Sequence, residues 1–260
     1  MPVAHVNNGY LHYELAGQEK APLLVLSNSL CTNFLMWDAQ MPALTRHFRV
    51  LRYDTRGHGQ SSVTPGPYSF EQLGRDVLAL ADALAVRNFS FCGLSMGGVT
   101  GMWLGMHAPE RLHKLVLSST AAKIGNADTW NARIAAVRKG GMKSVAGATM
   151  ERWFTAGYRE KAPESVARIR QMVENTSADG FVANCEALRE MDFREGLAAM
   201  RTPALVISAT HDGGTTPQDG RFIAARIPGA RYVELDAAHL CNIEQADRFT
   251  QEVSEFLQKS

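Results

Sequence analysis

The chain has 260 residues, 45% of them apolar and 20% charged, with a formal net charge of +1. That length suits one compact domain, or one domain carrying a smaller insertion. The near-zero charge gives no global field to draw the chain to nucleic acid or an anionic membrane, and no apolar stretch is long enough to span a bilayer.

The first residues, Met1-Pro2-Val3-Ala4-His5, lack the basic region and apolar run of a secretory signal. The four cysteines (Cys31, Cys92, Cys185 and Cys241) form no CxxC pair and suit no zinc site. Free thiols in a reducing cytoplasm are expected.

Along the chain, Ala4-His5-Val6 and Tyr10-Leu11-His12-Tyr13 alternate around Asn7-Asn8-Gly9, which predicts a hairpin on an Asn-Gly turn. Leu23-Leu24-Val25-Leu26 is a short apolar run of the kind found in a strand buried on both faces. Similar runs recur near residues 49–53, 89–92, 114–117, 204–207 and 232–235. Helical spacing lies between most of them. Leu73, Val77, Leu80, Ala81 and Leu84 share one face, a second helix covers residues 99–107 ahead of Pro109, and Phe249, Val253, Phe256 and Leu257 mark a last one. Strands alternating with helices predict an α/β fold with a mostly parallel sheet covered on both faces. The alternation stops over residues 122–200, where amphipathic helical patterns replace strands. A helical cap inserted into a core of residues 1–121 and 201–260 is expected.

One segment carries chemistry. Cys92-Gly93-Leu94-Ser95-Met96-Gly97-Gly98 follows a predicted strand and opens a predicted helix. A serine at so sharp a turn has strained backbone angles, and its neighbours two residues away come too close for a Cβ, hence Gly-x-Ser-x-Gly. The turn lifts the hydroxyl above the sheet and aims the helix N-terminus at developing negative charge.

A serine nucleophile on such an elbow needs an acid and then a histidine later in the chain. His107 and His113 lie too close to Ser95 in sequence to fold back. His239 lies in the loop between the last strand and the last helix, so it is the expected base. Asp212, directly after the strand at residues 204–209, is the expected acid, able to fix the His239 tautomer. Asp236 and Asp219 compete with it, the first read as a loop cap and the second as a helix start. The oxyanion hole should use the backbone N–H groups of Met96 and Leu30. Asp54-x-Arg56-Gly57-His58-Gly59-x-Ser61 reads as a structural turn after a strand. Cys31 and Cys241 flank the site and read as packing residues.

With these residues placed, the chain resembles the 3-oxoadipate enol-lactonase branch of the α/β-hydrolases over nearly its whole length. The matching stretches include Leu26-Ser27-Asn28-Ser29-Leu30, Arg52-Tyr53-Asp54-Thr55-Arg56-Gly57-His58-Gly59, the serine elbow and Ala237-Ala238-His239-Leu240. More telling are Asn28-Ser29, where most relatives carry His-Gly, and the stretches Thr120-Ala121-Ala122-Lys123-Ile124-Gly125, Trp130-Asn131-Ala132-Arg133-Ile134 and Arg152-Trp153-Phe154. Two departures stand out. Cys31 occupies a usual glycine position, and Gly213-Gly214-Thr215-Thr216 replaces a proline-containing run after the acid.

The resemblance implies hydrolysis of a small cyclic enol ester bearing an acetate side chain, within aromatic-compound degradation. No metal or organic cofactor is implied. The anionic substrate calls for a cationic partner, for which Arg133 is the candidate, with Trp130 and Trp153 as apolar walls. A general carboxylesterase or another lactonase shares every one of these catalytic residues. A non-catalytic ligand receptor on the same fold and a cofactor-free haloperoxidase complete the alternatives.

Overall fold

The computed structural model describes residues 2–259. β1 (Val3–Val6) and β2 (Gly9–Ala16) pair antiparallel with Val6 opposite Gly9, so the turn residues are Asn7 and Asn8. The turn thus lies one residue earlier than the Asn-Gly pair suggests. Asn8 takes the positive φ of 57°, which asparagine tolerates better than most residues. Gly9 answers a different need, since a Cβ there would lie 2.3 Å from Ser62 Oγ.

Six further strands complete one sheet: β3 (Leu23–Ser27), β4 (Arg49–Tyr53), β5 (Phe89–Leu94), β6 (Leu112–Ser118), β7 (Ala204–Ala209) and β8 (Arg231–Leu235). Their order is β1-β2-β4-β3-β5-β6-β7-β8. β2 runs antiparallel to β4, and every neighbouring pair beyond it is parallel. Every residue of β3, β5 and β7 is buried. That requires helices on both faces of the sheet, and it explains why these strands read as unbroken apolar runs. Each fully buried Leu or Val there contributes about 1.5–3 kcal/mol of hydrophobic stabilisation.

The helices are α1 (Met41–Leu44), α2 (Phe70–Ala83), α3 (Met96–His107), α4 (Ala127–Gly140), α5 (Lys143–Trp153), α6 (Ala156–Lys161), α7 (Pro163–Asn175), α8 (Ala178–Glu190), α9 (Pro217–Arg226), α10 (Cys241–Glu244) and α11 (Ala246–Gln258). α2 begins three residues before its periodic apolar face because Ser69 caps it, accepting from Gln72 N–H.

Between β6 and β7 the chain makes α4 to α8 and a short 3-10 turn. The side chains of Asn126, Thr155 and Ser177 cap α4, α6 and α8. The buried residues of α4, α5 and α7 include Trp130, Ile134, Val137, Met150, Trp153, Ile169, Met172 and Val173, the periodic positions of the sequence. This helical layer rests on the loop after β4. A Cβ on Gly180 of α8 would lie 2.1 Å from the Gly57 carbonyl oxygen, and Asn184 Nδ2 donates to Arg56 O at 3.0 Å. Among the described residues no helix is long and apolar enough to cross a membrane.

Candidate active site

Ser95 stands between the end of β5 and the start of α3 with φ 57° and ψ −113°. That backbone is costly for any residue with a Cβ, on the order of 1–3 kcal/mol, so the surroundings must hold it. Ser95 N–H donates to Ser118 O at 2.8 Å, and Thr120 Oγ1 donates to Ser95 O at 2.8 Å. The two flanking glycines are steric necessities. A Cβ on Gly93 would lie 2.1 Å from Gly97 O, and one on Gly97 would lie 2.2 Å from Ser27 O.

The loop after β7 brings Asp212 to the loop after β8. His239 Nδ1 donates to Asp212 Oδ2 at 2.6 Å. The same oxygen receives Thr215 Oγ1 at 2.7 Å, while Oδ1 accepts the N–H groups of Gly214 at 2.8 Å and Thr215 at 3.0 Å. The Gly213-Gly214-Thr215 departure therefore supplies most of the carboxylate's hydrogen bonds. Burial alone would raise the Asp212 pKa. The charge of His239 and the hydrogen bonds from His239 and Thr215 outweigh it and hold the carboxyl below the usual carboxylate range.

Neither competing acid reaches His239. Asp236 pairs with His211 Nε2 at 2.8 Å in the open, where a loop cap was expected. Asp219 closes the capping box of α9 with Thr216, the helix start expected of it.

The loop after β3 passes beside Ser95. Asn28 staples it down: its carbonyl accepts Gly97 N–H at 3.0 Å, its Oδ1 accepts Trp37 Nε1 at 2.9 Å, and its Nδ2 donates to Tyr53 O at 2.7 Å. The next four residues form a turn closed by Thr32 N–H to Ser29 O at 3.2 Å. Cys31, third in that turn, has φ 67°, the sign a type II turn demands there and the reason glycine is favoured. Among the described residues, the N–H groups of Leu30 and Met96 donate to no protein acceptor. Both remain available for a ligand, as an oxyanion hole requires.

Ser95, Asp212 and His239 line one cavity of about 470 Å³. Residues of α4 and α5 line it too. Trp153, at the end of α5, stacks on the His239 ring with centroids 5.9 Å apart. Trp130 and Arg133 come from α4, and the Arg133 guanidinium stands 4.8 Å over the Trp130 ring. Burial, then the charge of Arg152, lowers the Arg133 pKa below the ordinary guanidinium value. Among the described residues neither arginine forms an ion pair with a carboxylate.

The structure thus brings Ser95, Asp212, His239, Leu30, Trp130, Arg133 and Trp153 to one cavity, with Met96 following Ser95 directly. Arg152 and Ser29 are among the lining residues that the sequence reading did not assign to the site. Arg152 is a second cation, hidden because one helical arginine resembles any other. Ser29 has a buried hydroxyl without a hydrogen-bond partner, and its place in the motif was the only sequence clue. Cys31 also lines the cavity, with its thiol pKa pushed up to about 12 by burial. All four cysteines are free and buried.

A strained serine on a strand–turn–helix elbow, an Asp–His pair and two open N–H groups are the parts of an acyl-transfer hydrolase. The chain belongs to the α/β-hydrolase family: the model of the alpha/beta hydrolase fold matches residues 22–246. Within that family it is 41% identical to 3-oxoadipate enol-lactonase 2 of Acinetobacter baylyi, over 100% of this chain and 99% of that protein. The crystal structure of the enol-lactonase from Burkholderia xenovorans LB400 superposes with a TM-score of 0.98 at 49% identity, covering 99% of this chain and 100% of that one. A thermophilic esterase from Thermogutta terrifontis, solved with malate bound, is more distant at 29% identity and a TM-score of 0.91, with 96% and 93% covered.

Proposed function

We propose that this protein hydrolyses a small anionic lactone through an acyl-enzyme on Ser95, and that 3-oxoadipate enol-lactone is its substrate. One observation carries the reading: a single cavity is lined by Ser95, His239 and Asp212 together with two arginines that, among the described residues, have no carboxylate partner. Full-length similarity to enol-lactonases supports the choice of lactone.

The steps follow from the groups present. Ser95 Oγ bonds to the lactone carbonyl carbon as its proton passes to His239 Nε2. The carbonyl oxygen becomes an oxyanion held by the N–H groups of Leu30 and Met96. Collapse of the adduct breaks the ring C–O bond and expels an enolate, an easier leaving group than an alkoxide, which takes the proton from His239. Water then attacks the acyl carbon and gives a proton to His239, which passes it to Ser95 Oγ as the acyl C–O bond breaks and the carboxylate product leaves. Tautomerisation of the enol to the ketone makes opening one-way. Asp212 keeps Nδ1 protonated so that Nε2 can act as base. Arg133, assisted by Arg152, holds the substrate carboxylate, and Trp130 and Trp153 flank the ring. No step calls on a metal or organic cofactor. Four unpaired thiols support a reducing, cytoplasmic setting.

The test is turnover of freshly generated 3-oxoadipate enol-lactone beside a panel of neutral lactones and simple esters. The anionic enol-lactone should show the highest kcat/KM. A preference for neutral esters would assign the protein as a general carboxylesterase instead, and no multiple turnover on any of them would indicate a receptor.

A further inference from the structure

The motif at residues 54–61 looks like scaffold, yet one of its side chains reaches the oxyanion loop. Cys31 N–H donates to His58 Nε2 at 2.9 Å, with both residues buried. On the other side of the ring, Nδ1 lies 3.3 Å from Arg56 O, which fixes Nδ1 as the protonated nitrogen and Nε2 as the acceptor. Burial lowers the His58 pKa to about 4, so the imidazole stays neutral and able to accept.

The Cys31 N–H belongs to the central peptide of the Ser29–Thr32 turn. A type II turn has positive φ at its third residue, and a type I turn has negative φ there. Rotating the central peptide interconverts them. Glycine is comfortable in either form. Cysteine at φ 67° is strained and would relax toward type I. That rotation would turn the Cys31 N–H away from His58 and reverse the Leu30–Cys31 peptide dipole, one bond beyond a residue that lines the cavity.

We propose that His58 is a positioning residue that pins this turn, and with it the direction of the Leu30–Cys31 peptide dipole beside the Leu30 N–H, in the form that receives negative charge at Ser95. The inference rests on the acyl-transfer reading above. Its dependence on Cys31 is specific: the pin opposes a strain that glycine at this position would not create.

The experiment uses the whole protein and p-nitrophenyl acetate, so that it does not hinge on the natural lactone. His58→Leu removes the acceptor, and His58→Gln returns an amide oxygen near the Nε2 position. Weakening one oxyanion donor slows acylation and deacylation together, so kcat falls while KM holds. Outright loss of such a donor costs about 10²–10³-fold in kcat. Reversing the peptide dipole beside it should cost roughly ten- to a hundredfold, with KM within about threefold and His58→Gln restoring most of the rate. In a Cys31→Gly background, His58→Leu should cost several-fold less than in the native chain.

Equal losses in His58→Leu and His58→Gln would overturn the proposal, and so would a His58→Leu loss that is the same in the Cys31→Gly background as in the native chain. If His58→Leu does not fold by circular dichroism, His58→Gln against the shorter His58→Asn decides it: only Gln should keep activity, and equal activities would overturn it. Ser95→Ala measured alongside separates the two readings, because activity surviving in that variant would remove the acyl-enzyme itself.

Discussion

The loops at the sheet's C-terminal edge and the helices between β6 and β7 each build a wall of the same cavity by different means. At the sheet edge almost nothing is free to move. Gly93 and Gly97 have no room for a Cβ, Ser95 is held by hydrogen bonds on its N–H and its carbonyl, and Asp212 accepts four hydrogen bonds. In the cap, Arg133 rests on Trp130 and Arg152 on Thr149 through a 3.3 Å contact, and among the described residues no carboxylate pairs with either. A transition state needs donors fixed to within a fraction of an ångström. A substrate carboxylate needs charge and room, and pairs best with cations not already paired. On the proposed function, the rigid wall would set the reaction class and the open wall what is hydrolysed.

The sharpest way to break that division is at the nucleophile. Ser95→Ala should lower kcat by about 10⁵–10⁶-fold on every substrate, because nucleophile and base act as a unit. Its thermal midpoint should stay within a few degrees. A variant keeping a tenth of the native rate would end the mechanism. Next comes the acid. Asp212→Asn should reduce kcat by about 10⁴-fold through the wrong His239 tautomer, while Asp236→Asn, which touches only His211, should cost less than about threefold. Reversal of those two results would move the acid to Asp236.

At the cap the effects should be smaller and selective. Arg133→Ala removes a charge-assisted hydrogen bond of about 1.5–3 kcal/mol, or roughly ten- to a hundredfold in kcat/KM for the anionic lactone. A neutral ester of similar size should be hydrolysed nearly as before. Equal losses on both substrates would make Arg133 a structural residue and blur the distinction between the walls.

The smallest effect concerns stability at the rigid wall. His58 is held near 4 when folded, chiefly by burial, against about 6.5 in an unfolded chain. Its neutral state supports the fold above pH 6.5. Between 6.5 and 4 the unfolded chain takes a proton that the folded one refuses, so stability falls as pH falls. From pH 7 to 5 the loss attributable to this residue is about 2 kcal/mol. Urea unfolding at the two pH values should show it, and His58→Gln should remove it. An unchanged pH dependence in that variant would assign the loss to other groups.

Local chemistry was enough to read much of this chain. The glycines two residues to either side of Ser95 follow from hard-sphere contact, and apolar runs at residues 23–26, 89–92 and 204–207 follow from strands covered on both faces. Residues Trp130, Ile134 and Val137 announce a buried helical stripe by period alone. Chain order then selects His239 and Asp212 with no distance known. Where the reading slipped, the cause lay outside the turn itself: Asn8 takes the turn conformation while Gly9 is pressed against Ser62, far along the chain.

What the sequence could not decide was anything requiring two distant segments to meet. Chain order favours Asp212 over Asp236 as the acid, but only the packing of the loop after β7 against the loop after β8 puts Asp212 2.6 Å from His239 and gives Asp236 an unforeseen partner in His211. Arg152 has the same helical surroundings as several other cap arginines, and only tertiary placement turns it to the cavity. His58 reads as part of a turn until the fold sets its ring against Cys31, 27 residues earlier. Periodicity and steric exclusion act within a few residues, so they are written in the sequence. Hydrogen bonds between loops depend on where the sheet ends each strand, and that is known only once the chain has folded.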